Sequence, residues 1–197
     1  MGRWEPNASG RLTEAAMELF AERGYANTTV EDIAARAGLT ERTFFNYFAD
    51  KREVLFAGTP HFLERVITAA RATPKSRAPL ETVLMAYAAS NDFFEARRPF
   101  ARKRGALIFA HPELMERELI KLMSLAATLT EVLKERGTSK AAASLASETG
   151  LAVFRVAFEQ WVADPKDRNL VFHMGGARRQ LEAVVGGAQK AAARRRS

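Results

Sequence analysis

Residues Glu41 to Phe48 carry the side chains best suited to chemistry with a partner molecule. If this stretch is helical, Arg42, Phe45 and Asn46 share one face, with Thr43 and Tyr47 beside them. A guanidinium can bond guanine O6 and N7 together, an Asn amide can do the same for adenine, and an apolar ring can touch a thymine methyl. Thr28, Thr29, Thr40, Tyr47 and Lys51 are suited to phosphate oxygens, which set position on a duplex rather than sequence. Helix N-termini near residues 30 and 51 add backbone N–H groups of the same use. On the opposite face Phe44 and Phe48 lie one turn apart and should pack inward with Ile33, Ala37 and Leu39.

The elements that must position these groups are short and well punctuated. A first helix is expected from about Ser9 to Arg23, with Leu12, Ala16, Leu19 and Phe20 on one face and Gly24 to stop it. Thr29 caps a second helix, whose acidic first turn (Glu31, Asp32) suits the helix dipole. Gly38 ends it, and Thr40 caps a third helix of about eight residues. Two short amphipathic helices meeting at a glycine elbow describe a helix-turn-helix, whose second helix can enter the major groove. Taken alone, the pair fits an ordinary helical hairpin as well.

The whole chain sets further bounds. It has 197 residues, 47% hydrophobic and 27% charged, an ordinary globular balance. Helical periodicity dominates, so an all-α protein of about nine helices is expected. There are no cysteines, which removes disulfides, thiolate zinc sites and cysteine nucleophiles and fits a cytoplasmic protein. No apolar run approaches the roughly 20 residues of a membrane span, and MGRWEPNASGR lacks the apolar core of a leader. The formal charge of +7 makes a polyanionic partner plausible. Yet residues 1–55 hold seven Lys/Arg against nine Asp/Glu, so the segment with the reading face is itself slightly acidic.

Beyond it, Asp50-Lys-Arg-Glu53 reads as a capping box opening a fourth helix to about Ala72, interrupted or kinked at Gly58-Thr59-Pro60. Pro74 to Pro79 is a linker. Further helices are expected at about 79–95, 97–110, 112–136, 139–163 and 168–185. The expected domains are therefore 1–55, 56–186 and a disordered basic tail at 187–197.

From Arg11 onward, ELFAERGY, TTVEDIAARAGLT, the aromatic-rich FFNYF and DKREVL together resemble the N-terminal domain of the TetR family of bacterial transcription regulators. The strong match covers about 45 residues; past it, only chain length and helix succession agree. The resemblance implies an N-terminal three-helix DNA-binding domain, then a larger helical domain that binds a small effector and dimerises through its last two long helices. One departure stands out: the family usually has Tyr where this chain has Phe45, and that hydroxyl commonly reaches the DNA backbone. Phe45 is left with thymine-methyl contact or simple packing.

In the larger domain, Phe62, Tyr87, Phe94, Phe109, Phe154, Phe158 and Trp161 are candidates to line an apolar effector cavity, with Asn91 and Arg155 as polar contacts. Each aromatic residue is equally suited to a core. Leu145, Leu151, Phe154 and Phe158 on one helix, and Leu170, Met174, Leu181 and Val185 on the last, give apolar stripes suited to a four-helix dimer interface or to internal burial. The run Arg97 to Arg104 is either a solvated basic face or a source of general DNA affinity. No metal, cofactor or catalytic site is expected, since no H-E-x-x-H, P-loop, G-x-G-x-x-G or G-x-S-x-G pattern occurs. The resulting expectation is a homodimeric, sequence-specific regulator, a repressor released from a pseudo-palindromic double-stranded operator by a small molecule, with no enzymatic or membrane role. Its alternatives are an architectural DNA binder without effector and a helical adaptor that has lost DNA binding.

Overall fold

The computed structural model describes residues 7–194, with side chains described up to residue 186. The described residues form helices and connecting turns: α1 (Ala8–Arg23), α2 (Val30–Arg36), α3 (Glu41–Tyr47), a 3-10 turn at Glu53–Phe56, α4 (Thr59–Ala72), α5 (Pro79–Ala88), α6 (Asn91–Glu95), α7 (Arg98–Ala110), α8 (Pro112–Glu135), α9 (Lys140–Ala163) and α10 (Leu170–Arg194). The all-α expectation holds, with the five-residue α6 added to nine longer helices among the described residues. Of the tail expected at 187–197, the side chains and the last residues lie outside what is described.

Two compact units emerge. The first joins Met1–Pro60 with Lys103–Glu116; the second joins His61–Arg102 with Arg117–Ser197. Residues 103–116, distant in sequence from the reading helix, thus belong to the same unit as that helix.

In the first unit, each boundary has a local cause. Gly24 ends α1 at a φ of 81°, and its N–H returns to the Phe20 carbonyl. Thr29 and Asp32 form a reciprocal capping box on α2: the Thr29 hydroxyl accepts from the Asp32 N–H, and the Asp32 carboxylate accepts from the Thr29 N–H at 2.9 Å. Gly38, at φ 66°, makes the elbow a side chain would strain. Asp50 does cap, but a shorter element than expected. Its carboxylate accepts from the Arg52 and Glu53 N–H groups and opens the 3-10 turn, whose Val54, Leu55 and Phe56 are all buried. The α-helix restarts only at Thr59, where Pro60 occupies the first turn, the place where a missing N–H costs nothing.

The second unit is built around α9. Leu151, Val153, Phe154, Ala157 and Trp161 of α9 pack in one core with Phe62 and Val66 of α4, Val83 and Tyr87 of α5, Leu125, Leu129 and Leu133 of α8, and Leu170 and Met174 of α10. Among the described helices α9 alone is long and apolar enough to cross a bilayer; much of that apolarity is buried in this core. The helix expected over 79–95 breaks at Ser90, which is buried and turns its hydroxyl onto the Tyr87 carbonyl at 2.6 Å. That local bond competes with helix continuation. At Gly150 a Cβ would collide with the Val83 side chain of α5, so glycine permits the close approach of α5 and α9.

The α9–α10 corner is fastened by Asp164. Its carboxylate accepts from the Lys166 and Arg168 N–H groups and from the Arg168 guanidinium at 2.8 Å, and lies 3.0 Å from His173 Nε2. The Arg168 hydrogen bond, with those from the backbone and His173, holds the carboxyl well below the usual carboxylate range.

Two predictions follow from this packing. Gly150→Ala should gain about 1 kcal/mol of helix propensity yet lose about 1–3 kcal/mol to overpacking against Val83. Its urea midpoint should therefore fall; a midpoint at or above the wild-type value would contradict the close approach. Asp164 has a depressed folded pKa, so its contribution is complete above the unfolded value of roughly 4 and fades as pH falls through and below it. Asp164→Asn should be less stable than wild type at neutral pH, with the gap narrowing between about pH 5 and pH 3. A gap that stays constant over that range in denaturation measurements would refute this role.

Candidate nucleic-acid interface

Seven residues make a helix too short to persist unaided, so α3 must be held by its surroundings. Thr40 supplies the cap, its hydroxyl accepting from the Thr43 N–H at 3.1 Å. Phe44 is fully buried and Phe48 nearly so, and both anchor the inner face against a core that includes Ile33 of α2 and Leu12 and Phe20 of α1. The 82° edge-on contact of Phe44 with Phe45 also steadies the outer ring. Arg36 ties α2 to α1 through Glu22, bonded in two places, and Glu18 at 3.1 Å. Arg11 of α1 reaches the Ala37 carbonyl at the elbow.

This frame leaves Arg42, Phe45 and Asn46 exposed together on α3, with Thr43 and Tyr47 half-buried beside them. The structure thus brings together the five residues expected on the reading helix. Thr29 and Thr40 are exposed at the starts of α2 and α3, though both hydroxyls already serve as caps.

Two expected phosphate ligands are placed otherwise. Thr28 is buried, at 1% exposure, and its hydroxyl donates to the Gly24 carbonyl at 2.9 Å. Its side chain therefore fastens the turn after α1 and is not available to a phosphate. The Lys51 ammonium donates to the carbonyls of Tyr25 at 2.8 Å and Thr28 at 3.0 Å, and sits 4.4 Å from the centre of the Tyr25 ring. It bridges the Tyr25 and Thr28 carbonyls, the first of which also accepts from the Thr28 N–H, and so pins the loop that delivers Thr29 to α2. Burial pushes the Tyr25 phenol up from its usual pKa, with Glu113 adding to the effect.

Residues 103–116 complete this unit in a way the sequence did not reveal. The His111 ring lies 4.9 Å from that of Tyr25, which also meets Phe20 edge-on. Arg104 donates from Nε to the Leu55 carbonyl at 2.7 Å and covers the Phe56 ring. Nothing local to Tyr25 announces a histidine far along the chain; only the aromatic after the Gly24 stop hints at a packing role.

The basic run 97–104 also resolves differently from a solvated face. In the second unit Arg98 is only 7% exposed, bonded to Glu95 and Asp167 and stacked on Trp161. Arg102 donates to the carbonyls of Val162 and Asp164, each at 2.8 Å. Arg97 covers the Phe93 ring, and Lys103 is exposed.

Of the candidate effector residues, Phe62, Tyr87, Phe94, Phe154, Phe158 and Trp161 do gather. Tyr87 stacks on Phe154 at 4.6 Å, Phe62 meets Phe154 at 5.5 Å, and Phe94 bridges Phe158 at 5.1 Å and Trp161 at 5.9 Å. Phe109 is not among them; it is 67% exposed and falls in the first unit. Arg155 is exposed, and the Asn91 side-chain amide oxygen accepts from the Val171 N–H near the start of α10. Glu95, unmarked in the sequence, anchors the cluster by accepting from Trp161 Nε1 at 2.7 Å and from the Leu170 N–H. Two hydroxyls in this unit, on Tyr87 and Ser147, are buried without a hydrogen-bond partner. Burial drives the Tyr87 phenol far above its usual pKa, so it stays protonated and able to donate. Among the described residues no group of three His, Asp or Glu could hold a metal ion.

Known proteins match both parts of the chain. The model for bacterial regulatory proteins of the tetR family matches residues 12–57, and the MftR C-terminal domain model matches residues 77–186. A Mycobacterium tuberculosis protein named as the mycofactocin biosynthesis transcriptional regulator MftR is 26% identical over 170 residues, covering 83% of this chain and 84% of that one. Among solved structures, FadR of Bacillus subtilis in complex with stearoyl-CoA superposes with a TM-score of 0.58 at 20% identity, covering 90% and 98% of the two chains. The SmeT–triclosan complex gives 0.60 at 19% identity, covering 86% and 89%. With a reading helix framed in the first unit and family models spanning both regions, the chain belongs to the TetR family of bacterial transcription regulators.

Proposed function

We propose that this regulator is a repressor that binds a pseudo-palindromic operator as a homodimer and leaves it when a small apolar molecule enters the second unit. The observation that carries the DNA reading is the joint exposure of Arg42, Phe45 and Asn46 on a helix whose other face is buried. One base-pairing donor set, one amide and one apolar ring are the groups needed to tell base pairs apart in the major groove. Thr29, Thr40, Thr43 and Tyr47 border them and are suited to the phosphates on either side. Lys51 acts on DNA through the loop it holds, since its ammonium already has carbonyl partners.

Dimerisation is supported by the outer faces of α9 and α10. Leu145 and Val156 of α9 and Val171, Phe172, Val184 and Val185 of α10 are large apolar residues left exposed. A self-complementary patch of this kind fits a two-fold interface, and two readers would then meet half-sites about one helical turn or a small multiple apart. A DNA-binding regulator of this kind works in the cytoplasm.

The effector reading rests on the aromatic cluster of the second unit and on the buried, unpartnered hydroxyls of Tyr87 and Ser147. A ligand with a flat or long apolar body and a single acceptor would match rings and a phenol donor. Two neighbours of the same fold are solved in complex with stearoyl-CoA and with triclosan, each of which carries a long or flat apolar portion. Release would then follow from unequal affinity of the ligand for the bound and free arrangements of the two readers.

Selection of bound sequences from random DNA by the purified protein tests this reading. A recovered inverted repeat supports it, and a flat result or no binding overturns it. On the recovered site Arg42→Ala should lose about 1–3 kcal/mol while its affinity for scrambled DNA stays near wild type. Lys51→Met keeps the packing stem and should weaken binding to all sequences alike, with a loss of about 1.5–3 kcal/mol in stability from the carbonyls it abandons. Titrations on both DNAs, together with a denaturation curve, separate the two roles; equal losses on both DNAs for Arg42→Ala would remove it from base reading.

A further inference from the structure

Phe45 has no use inside the protein. It is 54% exposed, although a phenylalanine one residue earlier on the same helix is fully buried. It meets Phe44 edge-on with ring centres 5.5 Å apart, which fixes its direction but leaves it largely uncovered. Simple packing, one of the two roles open to it, is thereby removed. The other backbone-directed role is closed by chemistry: a phenyl ring has no hydroxyl to offer a phosphate. Between Arg42 and Asn46, which face the same side, an apolar ring has one apolar feature to meet in the major groove. That feature is the C5-methyl group of thymine, the one apolar group that protrudes from a base edge into the major groove.

We propose that Phe45 is a specificity-determining residue that reads a pyrimidine C5-methyl group, making one thymine in each half-site an apolar contact. The inference rests on the DNA-reading role proposed above and deepens it. The rim of the site is consistent with such a contact. Arg42 and Asn46 can satisfy the polar edges on either side, so water is displaced from a methyl without stranding a polar group. Because the contact is to the methyl alone, Phe45 distinguishes thymine from uracil and 5-methylcytosine from cytosine by the same means.

The test uses the full chain and the operator it selects from random DNA. Each thymine is replaced by deoxyuridine, symmetrically in both half-sites, and binding is measured at one fixed salt concentration. Burial of one methyl group corresponds to roughly a fourfold change in affinity, so two half-sites give about an order of magnitude. One thymine position should show this loss and the others little. Phe45→Ala, checked for intact helical content, should bind the thymine and deoxyuridine operators equally, whereas Phe45→Tyr should keep the discrimination. With cytosine in place of the sensitive thymine, 5-methylation should regain affinity for wild type and not for Phe45→Ala. Indifference to deoxyuridine at every position, or discrimination that survives Phe45→Ala, overturns the assignment while the operator itself still stands. Failure to select any sequence would instead overturn the regulator reading on which it depends.

Discussion

Burial of Phe44 is the constraint on which the reading surface depends. A helix of seven residues gains too few internal hydrogen bonds to offset its nucleation cost. Full burial of one aromatic ring contributes on the order of 2–3 kcal/mol, comparable to that deficit. With Phe44 inside, helical geometry turns the residues two before it and one and two after it outward, and these are Arg42, Phe45 and Asn46. The Thr40 cap, the Gly38 elbow and the Arg11 bond to Ala37 then fix where the helix begins. Function follows from an apolar contact that never touches the partner.

The second unit follows a different logic, in which charge is used to hold helices together. Glu95, Arg98, Arg102, Asp164, Asp167, Arg168 and His173 are joined by hydrogen bonds around the α9–α10 corner. Arg98 and Asp164 are buried, yet each has several partners, the condition under which buried charge is tolerable. Elsewhere in the unit, the hydroxyls of Tyr87 and Ser147 and the Arg65 Nε have no hydrogen-bond partner. A core able to satisfy two buried charged groups leaves two neutral donors without partners, which is an arrangement suited to an interaction made only when a ligand is present.

The first unit was the more legible in sequence because its signals are local. Thr29, Gly38 and Thr40 act on residues within one turn, and the Phe44–Phe48 spacing states which face is inside. Where the reading was incomplete, the missing partner was distant. Lys51 looks like a phosphate ligand until the carbonyls of Tyr25 and Thr28, more than twenty residues earlier, are seen to hold it. The run 97–104 looks solvated until Glu95, Trp161 and Asp167 surround Arg98. Asp50 shows a subtler limit: the capping signal is correct, but capping does not specify whether an α-helix or a 3-10 turn follows. Phe109 shows the converse, an aromatic residue assigned to a cavity by type alone and found at the surface.

Charge placement in the reading unit bears on how it can select its site. Arg23 pairs with Asp32, Arg36 with Glu18 and Glu22, Arg52 with Asp50, and Lys51 and Arg11 with backbone carbonyls. Arg42 stands exposed among the reading residues, on a segment with more acidic than basic side chains. Affinity for an arbitrary duplex comes from cations that replace condensed counterions, so described cations engaged internally contribute little to general binding and leave it to exposed ones such as Lys103. In the proposed reading, discrimination rests on Arg42, Phe45 and Asn46, and three side chains on one short helix give modest affinity. Two such readers on a common frame raise it through effective concentration, provided both half-sites can be met at once. Under the proposed dimer, weak general binding and a need for two simultaneous contacts make occupancy sensitive to the spacing of the readers, the quantity on which the proposed effector would act.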